Sequence, residues 1–285
     1  MKRKSLIVIT LLLLTGLGGT YFVYYQNNAL VTTEISYTSA ELPASFDDFR
    51  IVHLTDLHNK SFGNDQERLL SMILQADPDI IFFTGDLIDQ DTEDMHNSML
   101  LMQELAGLAP TYFVTGNHEW WSGNYEVLEA QLKDAGVNVL RNESTEIIKE
   151  EETIQLLGID DPAQGSSYNT EALLEEHLHS AAEEIDETVF QILLSHRPEV
   201  FDMYTDYQIQ LVFTGHAHGG QVRLPFIGAL AAPDQGFFPE YTAGTYTQNN
   251  TTMVVNRGLG NSVIPVRVFN RPEIIVMTLH SSSQQ

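Results

Sequence analysis

The chain has 285 residues, of which 39 are Asp or Glu and 14 are Lys or Arg, so its formal net charge is -25. Hydrophobic residues make up 43% and charged residues 19%, which is typical of a globular protein. The sequence contains no cysteine, which excludes disulfides, thiolate metal sites and cysteine nucleophiles. The acidic balance disfavours nucleic acid as a partner, because a phosphate backbone is bound by clustered Lys and Arg.

The N-terminus carries positive charge ahead of a long apolar segment. Lys2, Arg3 and Lys4 precede Ser5 to Tyr25, about 21 uncharged residues that at ~1.5 Å per residue would span a bilayer of ~30 Å. Aromatic residues close the segment, as in an interfacial belt: Tyr21, Phe22, Tyr24 and Tyr25. The basic tip predicts a cytoplasmic N-terminus and places the remaining residues outside the cytoplasm.

Three interpretations of this segment remain open: an uncleaved membrane anchor, a signal sequence cleaved to release a secreted protein, and a buried core helix. The anchor is favoured, because the apolar stretch continues past the small residues 18–20 into aromatics and no A-x-A pattern follows directly. We therefore expect a cytoplasmic tip (1–4), a transmembrane anchor (5–25) and a linker that is a stalk or a short leading strand (26–45). One globular domain (46–280) and a short tail (281–285) would follow.

Short apolar runs rich in β-branched and aromatic residues alternate with amphipathic ones along the domain. The short runs predict strands buried on both faces, at 50–54, 79–83, 111–114, 189–194 and 209–213, with later strands at 253–256 and 274–279. The amphipathic runs predict helices at 65–76, 93–105, 125–135 and 171–187, with Gly107 and Gly136 as C-caps of two of them. This alternation predicts an α/β fold with helices layered on sheet.

Five of the predicted strands end at Thr or Ser and then present a residue able to bind a metal ion. These residues are Asp56, Asp86, Asn117, His196 and His216. His58 and His218 follow two members by two residues, so in extended chain each pair would point the same way. At any one position a helix cap or a surface histidine is the simpler interpretation. Five strand ends together predict a metal site, because ligands of α/β proteins gather at the carboxyl ends of strands.

The motifs at these strand ends resemble those of the calcineurin-like metallophosphoesterases over residues 46–280. In chain order they are Asp56-Leu57-His58, Gly85-Asp86, Gly116-Asn117-His118-Glu119, His196 and Gly215-His216-Ala217-His218. The resemblance implies a four-layer αββα sandwich of two mixed β-sheets flanked by helices, with a two-metal site. It implies Asp56, His58 and His218 on one ion, and Asn117, His196 and His216 on the other. It also implies Asp86 as the bridging ligand and His118 as the catalytic histidine beside the phosphate.

The chemistry of this residue set agrees with such a site. Nitrogen and oxygen ligands without sulfur suit two divalent ions such as Mn, Zn or Fe. Two such ions clamp a phosphoryl group and lower the pKa of a bridging water, which makes a hydroxide nucleophile. His118 would assist the leaving group, and alternation of side chains along extended chain would point it away from its neighbour Asn117.

The branch of the family is indicated by further motifs. The Arg-Gly pair of protein Ser/Thr phosphatases does not follow Asp86, while 215–225 and 256–260 resemble bacterial membrane-anchored members, including cell-wall-associated phosphoesterases. We expect a monomeric hydrolase of a phosphoester or pyrophosphate bond at the outer membrane face, with a phosphorylated small-molecule, lipid-linked or cell-wall substrate. Alternatives are an enzyme like UDP-2,3-diacylglucosamine pyrophosphatase, a non-catalytic metal-binding envelope protein, and a nuclease, which the charge disfavours.

Other residues carry weaker signals. Arg223, Arg257 and Arg267 are candidate phosphate contacts, Arg223 above all, although each would also suit a loop anchor or an ion pair. The apolar loop 225–241 would form a rim for a lipid tail, dip toward the membrane, or pack over the sandwich. His53 is expected as a packed core histidine. The remaining histidines are expected on polar faces or at the chain end: His96, His177, His179 and His280.

Overall fold

The computed structural model describes residues 2–91, 94–164, 170–183, 185–186, 188–261 and 265–282. Its helices are α1 (Lys2–Asn28), α2 (Glu67–Ala76), α3 (His96–Leu108), α4 (Asn117–Trp121), α5 (Tyr125–Asp134), α6 (Thr170–Ala182) and α7 (Phe201–Asp206). Its earlier strands are β1 (Val31–Ser39), β2 (Arg50–Leu54), β3 (Ile80–Thr84), β4 (Thr111–Val114), β5 (Asn138–Val139), β6 (Glu143–Lys149), β7 (Glu152–Gly158), β8 (Gln191–Leu194) and β9 (Leu211–Thr214). The later strands are β10 (Arg223–Leu224), β11 (Gly228–Ala229), β12 (Ala231–Ala232), β13 (Gly236–Phe237), β14 (Gly244–Gln248), β15 (Thr251–Val255) and β16 (Glu273–Ser281).

Two mixed six-stranded sheets organise the domain. The first has the order β1-β16-β2-β3-β4-β5, in which only the β16–β2 pair is antiparallel. The second has the order β14-β15-β9-β8-β7-β6, with antiparallel pairs at both edges and parallel pairs between them. The carboxyl ends of the parallel strands of each sheet therefore meet at one edge.

The sheets pack face to face and carry helices on their outer faces. Between them, the rings of Phe82 on β3 and Phe213 on β9 lie 5.3 Å apart. Leu69 of α2 packs in the core outside the first sheet, and Leu178 of α6 packs in the core outside the second. Each such fully buried side chain contributes ~1.5–3 kcal/mol. This is the expected four-layer αββα sandwich, and its inner strands lie between apolar layers, which is why they read as unbroken apolar runs.

The helix boundaries differ in detail from the sequence predictions. The predicted C-cap at Gly107 is wrong, because α3 continues to Leu108 and ends just before Pro110, which has no N–H to continue it. Gly136 does follow α5 with φ +87 and donates its N–H to the Lys133 carbonyl oxygen at 3.0 Å. The helix predicted over 171–187 ends at Ala182. Glu93 and Glu187, the predicted limits of two helices, lie outside the described residues.

The N-terminal helix is exposed, and the segment after it belongs to the sheet. α1 is long and apolar enough to cross a membrane, and none of its most apolar stretch is buried, so the buried-core-helix interpretation is wrong. Within 26–45, β1 pairs in parallel with β16 from Val31↔Glu273 onward. Of the two alternatives for 26–45, a stalk or a short leading strand, the structure shows the strand, and β1 forms one edge of the first sheet. β16 itself runs to Ser281, the first residue of the predicted tail.

Candidate metal centre

The predicted ligand residues come together at the carboxyl ends of the strands. Their ligand atoms form two groups within 4.8 Å, one of Asp56, His58, Asp86 and His218 and one of Asp86, His196 and His216. Each of these side chains is buried. Asp86 belongs to both groups, which is the arrangement that a bridging carboxylate requires.

Asp86 faces the two groups with one oxygen and the catalytic motif with the other. Its Oδ2 lies 3.6 Å from His58 Nε2 and 3.3 Å from His196 Nε2. Its Oδ1 accepts the backbone N–H of His118 at 2.9 Å. The carboxylate is therefore held in one orientation between two sets of imidazoles.

Several buried polar atoms of the centre have no hydrogen-bond partner among the described residues. Asp56 Oδ2, Asn117 Oδ1, His58 Nδ1 and His218 Nδ1 are such atoms. His58 Nε2 and His218 Nε2 lie only 3.1 Å apart, and at most one of the two can donate to the other. Buried donors and acceptors are normally paired, so orphaned oxygens beside converging imidazoles fit a divalent cation with nitrogen and oxygen ligands.

Burial sets the protonation of the first group. Burial lowers the pKa of His58 to about 4 and holds the pKa of His218 well below its ordinary value, so both imidazoles are neutral. Neutral imidazole is the form that binds a metal ion. Burial raises the pKa of Asp56 to about 6.

His196 and Asp86 behave as a charged pair. Burial would lower the pKa of His196, but the Asp86 carboxylate outweighs it and raises that pKa to about 10. Burial would likewise raise the pKa of Asp86, but His196 outweighs it and holds that pKa well below its usual range. Asp86 is therefore anionic, and a cation bound beside it would compete with the proton on His196.

The ligand residues take backbone conformations that side chains rarely adopt. Their φ angles are +53° at Asp56, +49° at His58, +53° at Asp86, +63° at His216 and +47° at His218. The pairs at i and i+2 thus converge through left-handed turns, and the predicted extended chain is wrong. Left-handed backbone costs ~1–3 kcal/mol per residue and is concentrated at functional sites, where surrounding structure maintains it.

Glycines let the ligand loops approach one another. A Cβ on Gly116 would lie 2.3 Å from Asp86 Oδ1, and one on Gly215 would lie 2.7 Å from Asp56 Oδ2. No side chain fits at either position. The glycines of the sequence motifs are explained by these contacts between strand ends.

Glu119 holds together the two loops that carry Asp86 and Asn117, a role that was not predicted from the sequence. Its buried carboxylate accepts N–H groups from Asp86 at 2.8 Å, Leu87 at 2.8 Å and Gly116 at 2.6 Å. The loops after β3 and β4 are therefore tied to one side chain. Its position directly after Gly116-Asn117-His118 was the available signal.

His118 lies at the edge of the centre on α4. Its Nδ1 is 3.0 Å from Asp89 Oδ1, and its ring packs edge-on against His58 with centroids 4.6 Å apart. α4 begins at Asn117, so the side chains of Asn117 and His118 point in different directions because the backbone is helical. The predicted reason, alternation along extended chain, is wrong. Asp89, the second acid after β3, was not singled out from the sequence.

A second missed set of residues supports His216 from the outside. Asp234 Oδ2 lies 2.9 Å from His216 Nε2 and 2.5 Å from Arg197 Nη1. Arg197 also binds Asp161 through two contacts of 2.7 and 3.1 Å. A carboxylate on the far nitrogen of an imidazole fixes the ring orientation, so Asp234 positions His216. These acids are distant in sequence, and only the place of Arg197 next to His196 hinted at them.

The three arginines singled out from the sequence contact protein groups. Arg267 is fully buried and donates to the Gly260 carbonyl oxygen, and Arg257 pairs with Glu273 at 2.9 Å. Arg223 Nη1 donates to Gly219 O at 2.9 Å and to Thr242 Oγ1 at 3.0 Å. All three arginines therefore anchor loops or pair with an acid of the protein. Phosphate binding by Arg223 stays a prediction.

The remaining histidines divide between core and surface. His53 is a buried core residue, as predicted, with Nε2 2.8 Å from Thr84 Oγ1. The polar-face prediction is wrong for His177, which is buried beside Leu178 with Nδ1 3.0 Å from Asp160 O. His96 and His179 are exposed, and His280 is partly buried near Asp47.

Comparison with known proteins gives a consistent result. The family model described as "Calcineurin-like phosphoesterase" matches residues 49–220. "Uncharacterized metallophosphoesterase YkuE" of Bacillus subtilis is 32% identical, over 95% of this chain and 93% of that protein. "Phosphodiesterase YaeI" of Escherichia coli is 27% identical, over 81% and 82% of the two chains.

Two further similarities concern the membrane and the fold. "Transmembrane protein with metallophosphoesterase domain" of Danio rerio is 28% identical over 94% of this chain, which spans 61% of that protein. The crystal structure of TT1561 of Thermus thermophilus superposes with a TM-score of 0.50 at 13% identity, covering 74% of this chain and 90% of that one. The second similarity shows the fold alone.

Proposed function

This chain belongs to the calcineurin-like phosphoesterase family and is a metal-dependent phosphoester hydrolase, and we propose that its dinuclear centre is held by the residues gathered around Asp86. Asp56, His58 and His218 would hold one ion, and Asn117, His196 and His216 the other. The observation that carries this assignment is the single Asp86 carboxylate shared by two buried ligand groups. Two divalent ions bound there would supply Lewis acidity toward the phosphoryl oxygens and activate a water.

His118 is the residue placed to handle the leaving group. Asp89 Oδ1 lies 3.0 Å from Nδ1 of its ring, and the Gln90 backbone N–H points at the same nitrogen at 3.2 Å, so Nδ1 is held by the loop after β3 and Nε2 is left to face the substrate. A proton delivered from Nε2 to the departing oxygen would complete cleavage of a phosphoester or pyrophosphate bond. The packing of His118 against His58 keeps this proton donor beside the first ligand group.

We place the domain at the outer face of the cytoplasmic membrane. The basic residues at positions 2–4 favour a cytoplasmic N-terminus for α1. Contacts between the end of α1 and the domain, such as Asn270 N–H to Gln26 Oε1 at 3.1 Å, favour a retained anchor over a cleaved signal. Protease added to intact spheroplasts should digest the domain, and the membrane-extracted protein should keep the mass of its full N-terminus.

Hydrolysis by the full chain in detergent with Mn²⁺ tests the proposed function. We expect turnover of p-nitrophenyl phosphate or bis-p-nitrophenyl phosphate, and its loss in His118→Asn with bound metal retained. The exposed His96→Asn on α3 is the matched control and should keep full activity. Metal binding without turnover of a monoester, diester or pyrophosphate would favour a non-catalytic metal-binding envelope protein instead.

A further inference from the structure

Exposed apolar side chains are concentrated in one surface outside α1, which we call the apolar rim. It consists of Phe226, Ile227, Phe237, Phe238 and Phe269, whose side chains are 53–109% exposed. The other large apolar residues exposed in the described part of the domain lie one each on separate elements: Leu74, Leu108, Trp121, Val127 and Ile148. Exposed apolar side chains that are concentrated in this way mark a site of interaction.

The backbone of the rim is built to project these side chains. Phe226, Phe238 and Phe269 have φ angles of +68°, +55° and +50°. A bulky residue in the left-handed region is an outlier, and such residues are concentrated at functional sites. Phe238 donates its N–H to Leu230 O, and Leu230 to Val222 O, each at 3.0 Å. Two hairpins, β10–β11 and β12–β13, are thereby joined side by side with phenylalanines outward.

The rim lies beside the helix that can cross the membrane. Phe269 packs edge-on against Phe22 of α1, with ring centroids 5.4 Å apart. Val222, just before β10, and Val268, just before Phe269, form a parallel bridge. The chain therefore runs from Val222 into the β10–β11 hairpin in the same direction as it runs from Val268 to Phe269. Phe226 at the hairpin tip therefore points toward the membrane side of the domain.

The chain after Phe269 fixes this direction. It bends and returns along the end of α1, where Asn270 binds Gln26 and the Arg271 guanidinium lies 5.2 Å from the Tyr25 ring centroid. Phe269 thus contacts Phe22, whereas the next two residues contact Gln26 and Tyr25, which lie nearer the C-terminal end of α1. Phe269 is therefore the point of this segment nearest the bilayer.

The end of α1 is docked firmly on the domain. Gln26 and Asn27 are buried, and Asn27 O accepts a hydrogen bond from Lys60. Arg271 Nε donates to Ala29 O at 2.8 Å. No free linker separates the helix from the domain, because β1 begins at Val31. The orientation of the domain on the membrane is accordingly fixed by side-chain contacts.

Basic residues surround the docked helix end. Three of the 14 Lys and Arg residues lie at positions 2–4, which leaves 11 in the remaining chain. Three of these 11, Lys60, Arg68 and Arg271, donate to carbonyl oxygens at the C-terminal end of α1. Burial lowers the pKa of Lys60 to about 7, so the positive charge at this end of α1 comes mainly from Arg68 and Arg271, and it reduces repulsion from anionic headgroups.

The same segment contacts the metal centre. Asn270 Nδ2 donates to His218 O at 2.7 Å, and a Cβ on Gly220 would lie 2.3 Å from the Ala229 Cβ of β11. Asp234, between β12 and β13, binds His216. The rim hairpins therefore rest on the loop that carries two ligand residues, so the apolar rim and the centre are joined by direct contacts.

We propose that the apolar rim inserts into the outer leaflet beside α1 and that the centre acts on the phosphate of a lipid held in that leaflet. This inference rests on the proposed function, since it names the substrate class of the same site. Insertion of phenylalanines at the headgroup boundary is favoured by the apolar area that it buries. A lipid phosphate in the same leaflet then reaches the centre without leaving the membrane.

Insertion is tested with the full chain in phosphatidylcholine–phosphatidylglycerol nanodiscs. The natural sequence has no cysteine, so Phe226→Cys and Phe237→Cys each give a unique site for an environment-sensitive nitrobenzoxadiazole label. We expect both labels to be quenched by nitroxide-bearing lipids and protected from aqueous iodide. The label at Ile148→Cys, an exposed apolar position on β6, should behave oppositely. Rim labels that behave like the Ile148→Cys label would overturn the proposal.

The substrate class is tested with chemically matched pairs of lipid and soluble phosphates in the same nanodiscs. The pairs are phosphatidic acid with glycerol 3-phosphate, and phosphatidyl-p-nitrophenol with bis-p-nitrophenyl phosphate. We expect Phe226→Ser/Phe237→Ser to lower turnover of the lipid member roughly tenfold or more and to leave the soluble member unchanged. Equal effects on both members, or soluble turnover without a lipid preference, would contradict the lipid assignment. Absence of turnover for every substrate would instead count against the proposed hydrolase itself.

Discussion

Asp89 and His118 form a hydrogen-bonded pair across two loops, with Asp89 Oδ1 3.0 Å from His118 Nδ1. Asp89 follows β3 and His118 lies in the first turn of α4, so the pair joins the loop that carries Asp86 to the helix that carries Asn117. The contact leaves the other ring nitrogen of His118 for the substrate.

Asp89→Asn should lower kcat on bis-p-nitrophenyl phosphate without removing metal ions. The amide can hold the ring less firmly, so we expect a loss of roughly tenfold or more, below the ~100- to 10,000-fold of a removed general acid. Steady-state kinetics and metal analysis on the same samples measure both quantities. Asp91→Asn, two residues along and exposed, is the control and should match the natural enzyme. A normal kcat in Asp89→Asn would show that the pair does not orient His118.

Gly116→Ala should damage the centre, whereas Gly107→Ala should not. The added Cβ at position 116 would lie 2.3 Å from Asp86 Oδ1, so the carboxylate has to move. We expect Mn²⁺ affinity to fall by about 10- to 100-fold, as for other changes to residues that support ligands. Around Gly107 on α3 nothing lies within 4 Å of the added atom, and the fold should be unchanged or slightly stabilised. Titration calorimetry with Mn²⁺ compares the two, and equal affinities would contradict the geometry.

Arg197→Ala should destabilise the fold strongly. The guanidinium is buried and holds Asp161 through two hydrogen bonds, so its removal leaves a buried carboxylate without its partner. Breaking a buried pair from one side costs about 3–5 kcal/mol in the free energy of unfolding. Lys133→Ala, which breaks the solvent-exposed pair with Glu129, should cost below ~1 kcal/mol. Urea unfolding of both variants measures the difference, and equal midpoints would refute the assigned role of Arg197.

His53 should make the fold less stable in acid. Burial lowers its pKa to about 3 from an ordinary 6.5, so the folded state keeps the ring neutral where the unfolded chain binds a proton. Its contribution is complete above pH 6.5 and is lost as the pH falls toward 3, by up to ~1.4 kcal/mol per pH unit. His53→Gln removes this dependence, so its stability should fall less steeply with acid than that of the natural protein. Parallel pH profiles would mean that His53 does not contribute.

Much of the fold was predictable because its inner strands lie between two apolar layers. The runs ending before Asp56, Asp86 and Asn117 are strands β2, β3 and β4 within one residue of the prediction. The β6–β7 hairpin was missed, since β6 is a sheet edge with exposed polar residues and carries no continuous apolar run. Edge strands give this weak signal in general.

The metal-ligand residues themselves could be predicted from the sequence, whereas the residues that hold them in position could not. Strand-end position singled out Asp86 and His216 without knowledge of their conformation. The left-handed turns that aim these side chains depend on contacts between loops, such as Glu119 with the Asp86 N–H. Asp234 reaches His216 from a separate hairpin, and no local pattern encodes a partner that tertiary packing brings close.

Electron paramagnetic resonance of the Mn²⁺-loaded full chain, with metal counted on the same sample, tests the shared role of Asp86 most directly. We expect two ions per chain and an exchange-coupled spectrum, because one carboxylate faces both ligand groups. Asp86→Asn should lose the coupling and at least one ion, while the exposed Asp91→Asn keeps both. A natural chain that binds a single uncoupled ion, or an Asp86→Asn chain that keeps two coupled ions, would show that Asp86 is not a ligand shared by two ions.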